Sequence, residues 1–363
     1  MDDVLIIGGG VIGLSLAWDL ARRGIQTRVI DQGEIGREAS WAGAGILPPA
    51  SATLALDPYD QLRALTYSLH REWGQTLPEL TGIDTGYRVC GGLYLARTPG
   101  EAAALAAWAR SCREECLAVH PLDAAALAAA GIAYAARAAF FLPEEAQLRN
   151  PRYLQALQIA GSRHGVAFSP QVAAQEIVVS RGQITAVRTN VGMATAGQFC
   201  FTSGAWTGRL LAALGIAVQV LPIRGQMVLF QCDRPPLQSI VNEGSRYLVP
   251  RDDGLVLVGS TEEEVGFDKQ TTKSAIEDLT QFARSLVPAL QTASIERTWA
   301  GLRPATLDGL PYLGRLPSVS NAFVAAGHFR SGLFLSPATA TVMSQLMRGE
   351  PPAVDLAPFR VGR

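Results

Sequence analysis

Lysine is almost absent from this chain of 363 residues: only Lys269 and Lys273 stand among 31 basic residues. Arginine supplies the rest of the positive charge without forming a run, and 32 acids balance it to a net charge of −1. A surface of that kind lacks the clustered positive charge that nucleic acid or an anionic membrane needs in a main partner. Cysteine is scarce too. The five (Cys90, Cys112, Cys116, Cys200 and Cys232) are an odd number in a long chain, which argues against a disulfide framework and suits a reducing compartment. Cys112 and Cys116 stand four apart on an expected helix, but no second ligand pair accompanies them as a zinc site requires. All five are read as small packing residues. The apolar stretch 4–17 is too short to cross a bilayer and holds four glycines. The acidic start Met1-Asp2-Asp3 lacks the positive region of a secretory signal. A cytoplasmic protein without a membrane span is therefore expected.

Glycine, in contrast, is plentiful, with 36 residues gathered at a few places. The first place follows Val4-Leu5-Ile6-Ile7, an apolar run suited to a parallel strand buried on both faces. Gly8-Gly9-Gly10-Val11-Ile12-Gly13 then supplies G-x-G-x-x-G. A helix is expected to about Arg23, stopped by Gly24, and a second strand over 26–30 ends at Asp31. Each glycine then has a physical role. Gly8 permits the tight turn, Gly10 lets backbone approach a pyrophosphate, and Gly13 allows close packing of helix on sheet. The helix N-terminus offers free N–H groups to phosphates, and Asp31 can accept from an adenosine ribose. The strand, the helix and the acid agree, so a dinucleotide site is expected. The motif alone does not choose between NAD and FAD.

Two more strand–glycine–helix units lie far downstream. Residues 198–202 read as a strand before Ser203-Gly204-Ala205-Trp206 and a helix to about Leu214. Residues 322–326 read as another, before Gly327-His328-Phe329-Arg330-Ser331-Gly332 and a helix over 333–348. Three such units suggest one parallel sheet assembled from separated segments. Residues 175–189 read as a hairpin turning at Arg181-Gly182. The stretch 36–48 carries small side chains from Ala39 to Gly45, which would let its backbone lie against a long cofactor. A β-rich region runs from Pro222 to about Trp299, with Tyr247, Val249 and Arg251 on one face of a hairpin and a helix over 274–286. Residues 85–96 add strand, and the alanine-rich stretch 101–139 reads as helical.

The N-terminal fingerprint, Ala39-Ser40 with Ala44-Gly45-Ile46, Gly301-Leu302-Arg303-Pro304 and the 327–332 loop together resemble the D-amino acid oxidase-like FAD amine oxidases, within them the glycine oxidase type. The resemblance covers essentially the whole chain. It implies an α/β fold in which a Rossmann-type FAD-binding domain (1–84, 140–222 and 299–363) is interleaved with a substrate domain of antiparallel sheet and helices (85–139 and 223–298). It also implies FAD as cofactor, a small amino acid or amine as substrate, an imine product and a link to the thiazole branch of thiamine synthesis. Position by position, Val11, Ile12, Asp31 and Gln32 would meet the ADP portion. Ala39, Ser40, Ala44, Gly45 and Ile46 would line the pyrophosphate and flavin, and Val172 would reach adenine through its backbone. Gly204, from the second unit, and the span His328, Phe329, Arg330, Ser331, Gly332, Leu333 and Phe334 would complete the cofactor site. Arg303 would grip the substrate carboxylate, which its guanidinium can do bidentately, with Tyr247 and Arg330 assisting. His328 is read as a hydrogen-bond spacer with no proton to transfer.

The chemistry then belongs to the flavin: hydride passes from the α-carbon to N5, oxygen is reduced to hydrogen peroxide, and the imine hydrolyses. No cysteine or histidine is placed for covalent attachment, so FAD is expected to bind non-covalently. Ile46 departs from the methionine frequent in glycine oxidases, which leaves glycine, sarcosine, D-alanine and proline-like acids open. Also open are a dehydrogenase using a non-oxygen acceptor, a non-catalytic flavin subunit, an NAD enzyme, and a homo-oligomer.

Overall fold

The structure, a computed structural model, describes residues 2–51 and 54–363. Two sheets dominate. In the first, the strands run Tyr312–Arg315, Ala322–Ala326, Ala196–Phe201, Asp2–Ile7, Thr27–Ile30 and Ala167–Ser169 from edge to edge. All neighbours pair in parallel except the first, antiparallel pair. The central strand is apolar on both faces, as a parallel strand covered by helices must be: Val4, Leu5, Ile6 and Ile7 are all buried. The three expected strand–glycine–helix units are thus neighbours in one sheet although nearly 200 residues separate the first from the second.

The helices differ from the sequence reading in several places. Val11–Ala21 is buried along its full length, because Gly332–Met347 and Asn150–Arg163 pack over it with the 24-residue helix Pro58–Thr81 beyond. The last two had no counterpart among the expectations. Pro58–Thr81 has clear signals nonetheless: Asp57 accepts from Asp60 N–H at its start, a proline follows at the first position, and Gly82 closes it at φ +76°. The stretch 101–139 is not one helical region. Helix Pro99–Glu114 starts with a Thr98/Glu101 capping box, and helix Ala124–Ala129 is short. Cys116 takes φ +61° and Gly131 φ +84°, so alanine propensity yields to turns there. Cys116 therefore lies outside the helix that carries Cys112.

The second sheet has strands in the order Ser294–Ala305, Leu221–Gln231, Leu255–Gly259, Arg246–Pro250, Ile240–Glu243, Gly92–Ala96, Ala138–Leu142 and His120–Pro121. Every neighbouring pair is antiparallel except Ile240–Glu243 with Gly92–Ala96. Helix Lys273–Leu286 covers one face, burying Leu279, Phe282 and Leu286. Three boundaries expected from sequence, at 222/223, 298/299 and 139/140, cut through strands of this sheet. Strand Ser294–Ala305 pairs with Leu221–Gln231 from Ser294 to Ala305, and Ala138–Leu142 pairs with Gly92–Ala96 throughout. Continuous ladders place Arg303 and its neighbours in the second sheet. The hairpin Ala174–Ser180 with Gln183–Thr189 gains a third strand, Gly192–Ala194.

Candidate active site

A cavity of about 470 Å³ runs between the two sheets. Nearly every site residue expected from sequence lines it, from Asp31, Gln32 and Val172 at one end to Tyr247, Arg303 and Arg330 at the other. Gly13 is the exception, and its role is internal. A Cβ on Gly13 would stand 2.0 Å from Gly8 O, and one on Gly8, at φ +119°, would stand 2.5 Å from Thr202 O. These two glycines pack the turn onto the neighbouring parallel strand. Gly10 is different: the nearest atom to a Cβ there is Ser40 Oγ at 3.2 Å, so its open side faces the cavity. Ser40 Oγ also accepts from Val11 N–H at 2.9 Å, which places it at the helix N-terminus where a phosphate is stabilised.

Asp31 closes the far end. Its carboxylate accepts from Gly9 N–H at 2.7 Å and Gly33 N–H at 2.8 Å, while its carbonyl accepts from Val172 N–H at 2.7 Å. Burial raises its pKa, and the two backbone donors work against that rise. The short helix Ala39–Ala42 carries the small-residue segment into the cavity. Gly301 lets it approach the second sheet, since a Cβ there would meet Ala42 Cβ at 2.6 Å. Trp299 Nε1 donates to Ala42 O at 3.1 Å. Gly45, in contrast, is glycine for a protein contact: a Cβ would stand 2.0 Å from Leu148 O.

Two residues that hold this segment, Arg251 and Asn150, and a third in the cavity wall, Glu145, had no site role in the sequence reading. Arg251 is buried and donates to Ala44 O at 2.8 Å, Leu148 O at 3.0 Å and Gln147 Oε1 at 2.6 Å. Burial lowers its pKa to about 10, with Arg149 and Arg88 adding repulsion. Asn150 Nδ2 donates to Ser40 O at 2.7 Å, and its buried Oδ1 has no partner. Glu145 is buried in the cavity wall with its pKa pushed up to about 8 by desolvation. Only long-range pairing brings these residues here, so no local motif announced them.

At the substrate-domain end, Arg303 is half-buried and lies across Gly225, where a Cβ would stand 2.2 Å from its Nη1. It donates to Thr261 O at 3.0 Å and Ser260 Oγ at 2.5 Å. Among the described residues, no carboxylate pairs with it. Tyr247 is buried with its hydroxyl 3.6 Å from Met227 Sδ. Arg330 sits at the mouth, paired with Glu262 at 2.7 Å and donating to Ser245 O at 3.2 Å. His328 is buried against Thr339 Oγ1 at 3.1 Å, and burial lowers its pKa to about 3. Burial thus favours the neutral ring.

A cavity framed by an open Gly10, a helix N-terminus, Asp31 at its far end and an orphaned Asn150 Oδ1 suits one long dinucleotide. The profile of the family FAD dependent oxidoreductase matches residues 3–346. This chain belongs to that family. It is 37% identical to a glycine oxidase from Pseudomonas putida over 98% of this chain and 97% of that protein. It is 32% identical to a bifunctional ThiO/ThiG protein from a Nostoc species, over 95% of this chain but 52% of that one. The crystal structure of glycine oxidase from Geobacillus kaustophilus superposes with a TM-score of 0.94 at 32% identity, covering 100% of this chain and 98% of that one. The chain is thus an FAD-dependent oxidoreductase, and among the described residues no helix is long and apolar enough to cross a membrane.

Proposed function

We propose that this chain oxidises glycine, or an amino acid or amine of similar size such as sarcosine or D-alanine, to the imine, with oxygen as acceptor. The observation that carries the reading is Arg303. It is a half-buried cation with no acidic partner among the described residues, held over Gly225 in the same cavity as the dinucleotide cradle. A guanidinium so placed binds a carboxylate and fixes the carbon next to it. Similarity to glycine oxidases over nearly the whole chain supports the choice of substrate.

FAD, when bound, supplies the hydride acceptor and passes the electrons to oxygen. The rest is the work of this chain. Gly8, Gly10, Val11, Ile12 and Ser40 hold the pyrophosphate side, with Asp31, Gln32 and Val172 at the adenosine end. Ala39, Ala44, Gly45, Ile46, Gly204 and residues 328–334 frame the flavin. The N-terminus of helix Gly332–Met347 faces the cavity and favours negative charge there. Tyr247 adds a donor beside Arg303. Arg330, tied to Glu262 at the mouth, guides a carboxylate inward. Among the described residues, His328 is the one histidine in the cavity lining and is buried against Thr339 Oγ1, and similarity to the glycine oxidases supports FAD held non-covalently. The matches to ThiO/ThiG proteins support a role in thiamine biosynthesis, in the cytoplasm. Anaerobic mixing with glycine, sarcosine, D-alanine and proline should bleach the flavin with the small members, and air should then yield peroxide. Bleaching without peroxide would favour a non-oxygen acceptor, and no bleaching by any of the four would overturn the reading.

A further inference from the structure

Part of the cavity wall is backed by residues that reach over from the second sheet. Strand Leu255–Gly259 and helix Lys273–Leu286 are joined by a strap, residues 260–272. Arg224, buried on strand Leu221–Gln231, fixes its base. Arg224 Nη2 donates to Glu263 Oε2 at 2.5 Å, and Nη1 donates to Asp268 Oδ2 at 2.7 Å and Gln270 O at 3.0 Å. The two neighbours of Asp268 make their contacts elsewhere, on segments that follow strands of the first sheet. The Phe267 ring packs against the Arg209 guanidinium, 3.6 Å from its centroid, and against Trp206 at 5.4 Å. Lys269 Nζ donates to both carboxylate oxygens of Glu38, at 2.8 and 3.0 Å.

Strand order shows what these contacts straddle. Trp206 and Arg209 follow strand Ala196–Phe201, and Glu38 follows strand Thr27–Ile30. These strands flank Asp2–Ile7 on its two sides, and all three run parallel. The segments that follow them leave from one end of the sheet, the end that carries the Gly8–Gly10 turn. Glu38 also stands just before Ser40, whose Oγ accepts from Val11 N–H at the helix N-terminus. The strap is thus tied to both flanks of the dinucleotide turn. Trp206, Arg209 and Glu38 line the cavity, with Phe267 and Lys269 behind them. Among the described residues Lys269 is the one ion-pair partner of Glu38. Without that cation, a carboxylate would stand in the wall near the place of a pyrophosphate and repel it.

We propose that Phe267 and Lys269 are positioning residues for FAD. Phe267 seats Trp206 and Arg209 in the wall, and Lys269 offsets the Glu38 carboxylate beside the pyrophosphate. The second sheet, which carries the carboxylate clamp, thereby also retains the cofactor. The base of the strap at Arg224 is built from protein contacts alone, so the wall is shaped before FAD arrives. Neither role depends on which amine is oxidised.

The test titrates FAD into full-length apoprotein and reads the quenching of flavin fluorescence, with the Tm increment at saturating FAD as a second measure. F267A, which loses an aromatic and a cation–π contact, should raise the FAD dissociation constant about tenfold, and F267Y should bind like wild type. K269M should raise it about two- to fivefold, the range of a half-exposed pair. E38Q alone should bind FAD at least as tightly as wild type, and E38Q/K269M should regain wild-type affinity, because the repelling charge is gone. A salt bridge that merely braces the fold predicts the opposite: E38Q weakened as much as K269M, and no recovery in the double variant. The exposed substitutions decide the electrostatic role even where F267A folds poorly. Unchanged FAD affinity in folded F267A, or equal weakening in K269M and E38Q, would overturn the assignment.

Discussion

Replacing Glu145 by glutamine should make the protein more resistant to unfolding, and increasingly so as pH rises. The folded state holds the Glu145 proton up to about pH 8, whereas an ordinary glutamate releases it at 4.5. Between these values the folded chain binds more protons than the unfolded one, so stability falls with rising pH. The shift is the difference between the two values, and at about 1.4 kcal/mol per unit it corresponds to a ceiling of roughly 5 kcal/mol. The cost is absent below pH 4.5, grows through the interval, and is complete above 8. Glutamine preserves the shape and the Asn242 contact but has no charge to bury. The difference between E145Q and wild-type apoprotein should therefore be small at pH 5 and reach several degrees of Tm at pH 8.5. Thermal unfolding of both proteins across pH 5–8.5, without substrate, provides the measurement. Parallel curves would mean that Glu145 is solvated or paired in solution, and the reasoning from its burial would fail.

Other substitutions probe the cradle and the clamp separately. R303A removes the carboxylate clamp and should cost about 2–5 kcal/mol of ligand affinity, read as a 30-fold or greater rise in KM for glycine and Ki for acetate with FAD content intact. G13A forces a Cβ to within 2.0 Å of Gly8 O, so the purified protein should lose FAD, visible as a fallen ratio of flavin to protein absorbance. G24A, where φ is +84° but the space is open, should cost about 1 kcal/mol and leave FAD in place. R251M strands Ala44 O, Leu148 O and the Gln147 side chain without their donor. A loss of about 3–5 kcal/mol is expected in denaturant unfolding, as for one removed partner of a buried charged network. E262Q breaks a half-exposed pair, so stability in the same denaturant assay should change by less than about 1 kcal/mol while KM falls as Arg330 is freed.

The nucleotide half was legible because its signals are local. Strand, glycines, helix and Asp31 follow one another within the first 31 residues, and the structure places them as that order demands. Arg303 was legible for a similar reason, since a short motif surrounds it. The helix Pro58–Thr81 was equally local, with an N-cap, a proline and a terminal glycine, yet no expected function drew attention to it. The domain edges were harder. The boundary expected at 298/299 follows the end of the β-rich region, but hydrogen bonding from Ser294 to Ala305 keeps the clamp in the second sheet.

Glu145 marks the limit of such reading. In sequence it is one of two adjacent glutamates, and Glu144 beside it is exposed. What sets it apart is assembled from three distant segments: Gly92 leaves room for it, Asn242 bonds it, and burial removes its water. The same is true of Arg303, whose guanidinium lies free only because Gly225 has no side chain and the nearby acids are engaged elsewhere, Glu263 by Arg224 and Glu262 by Arg330. Ion pairing in this chain is thus as informative where it is missing as where it is present.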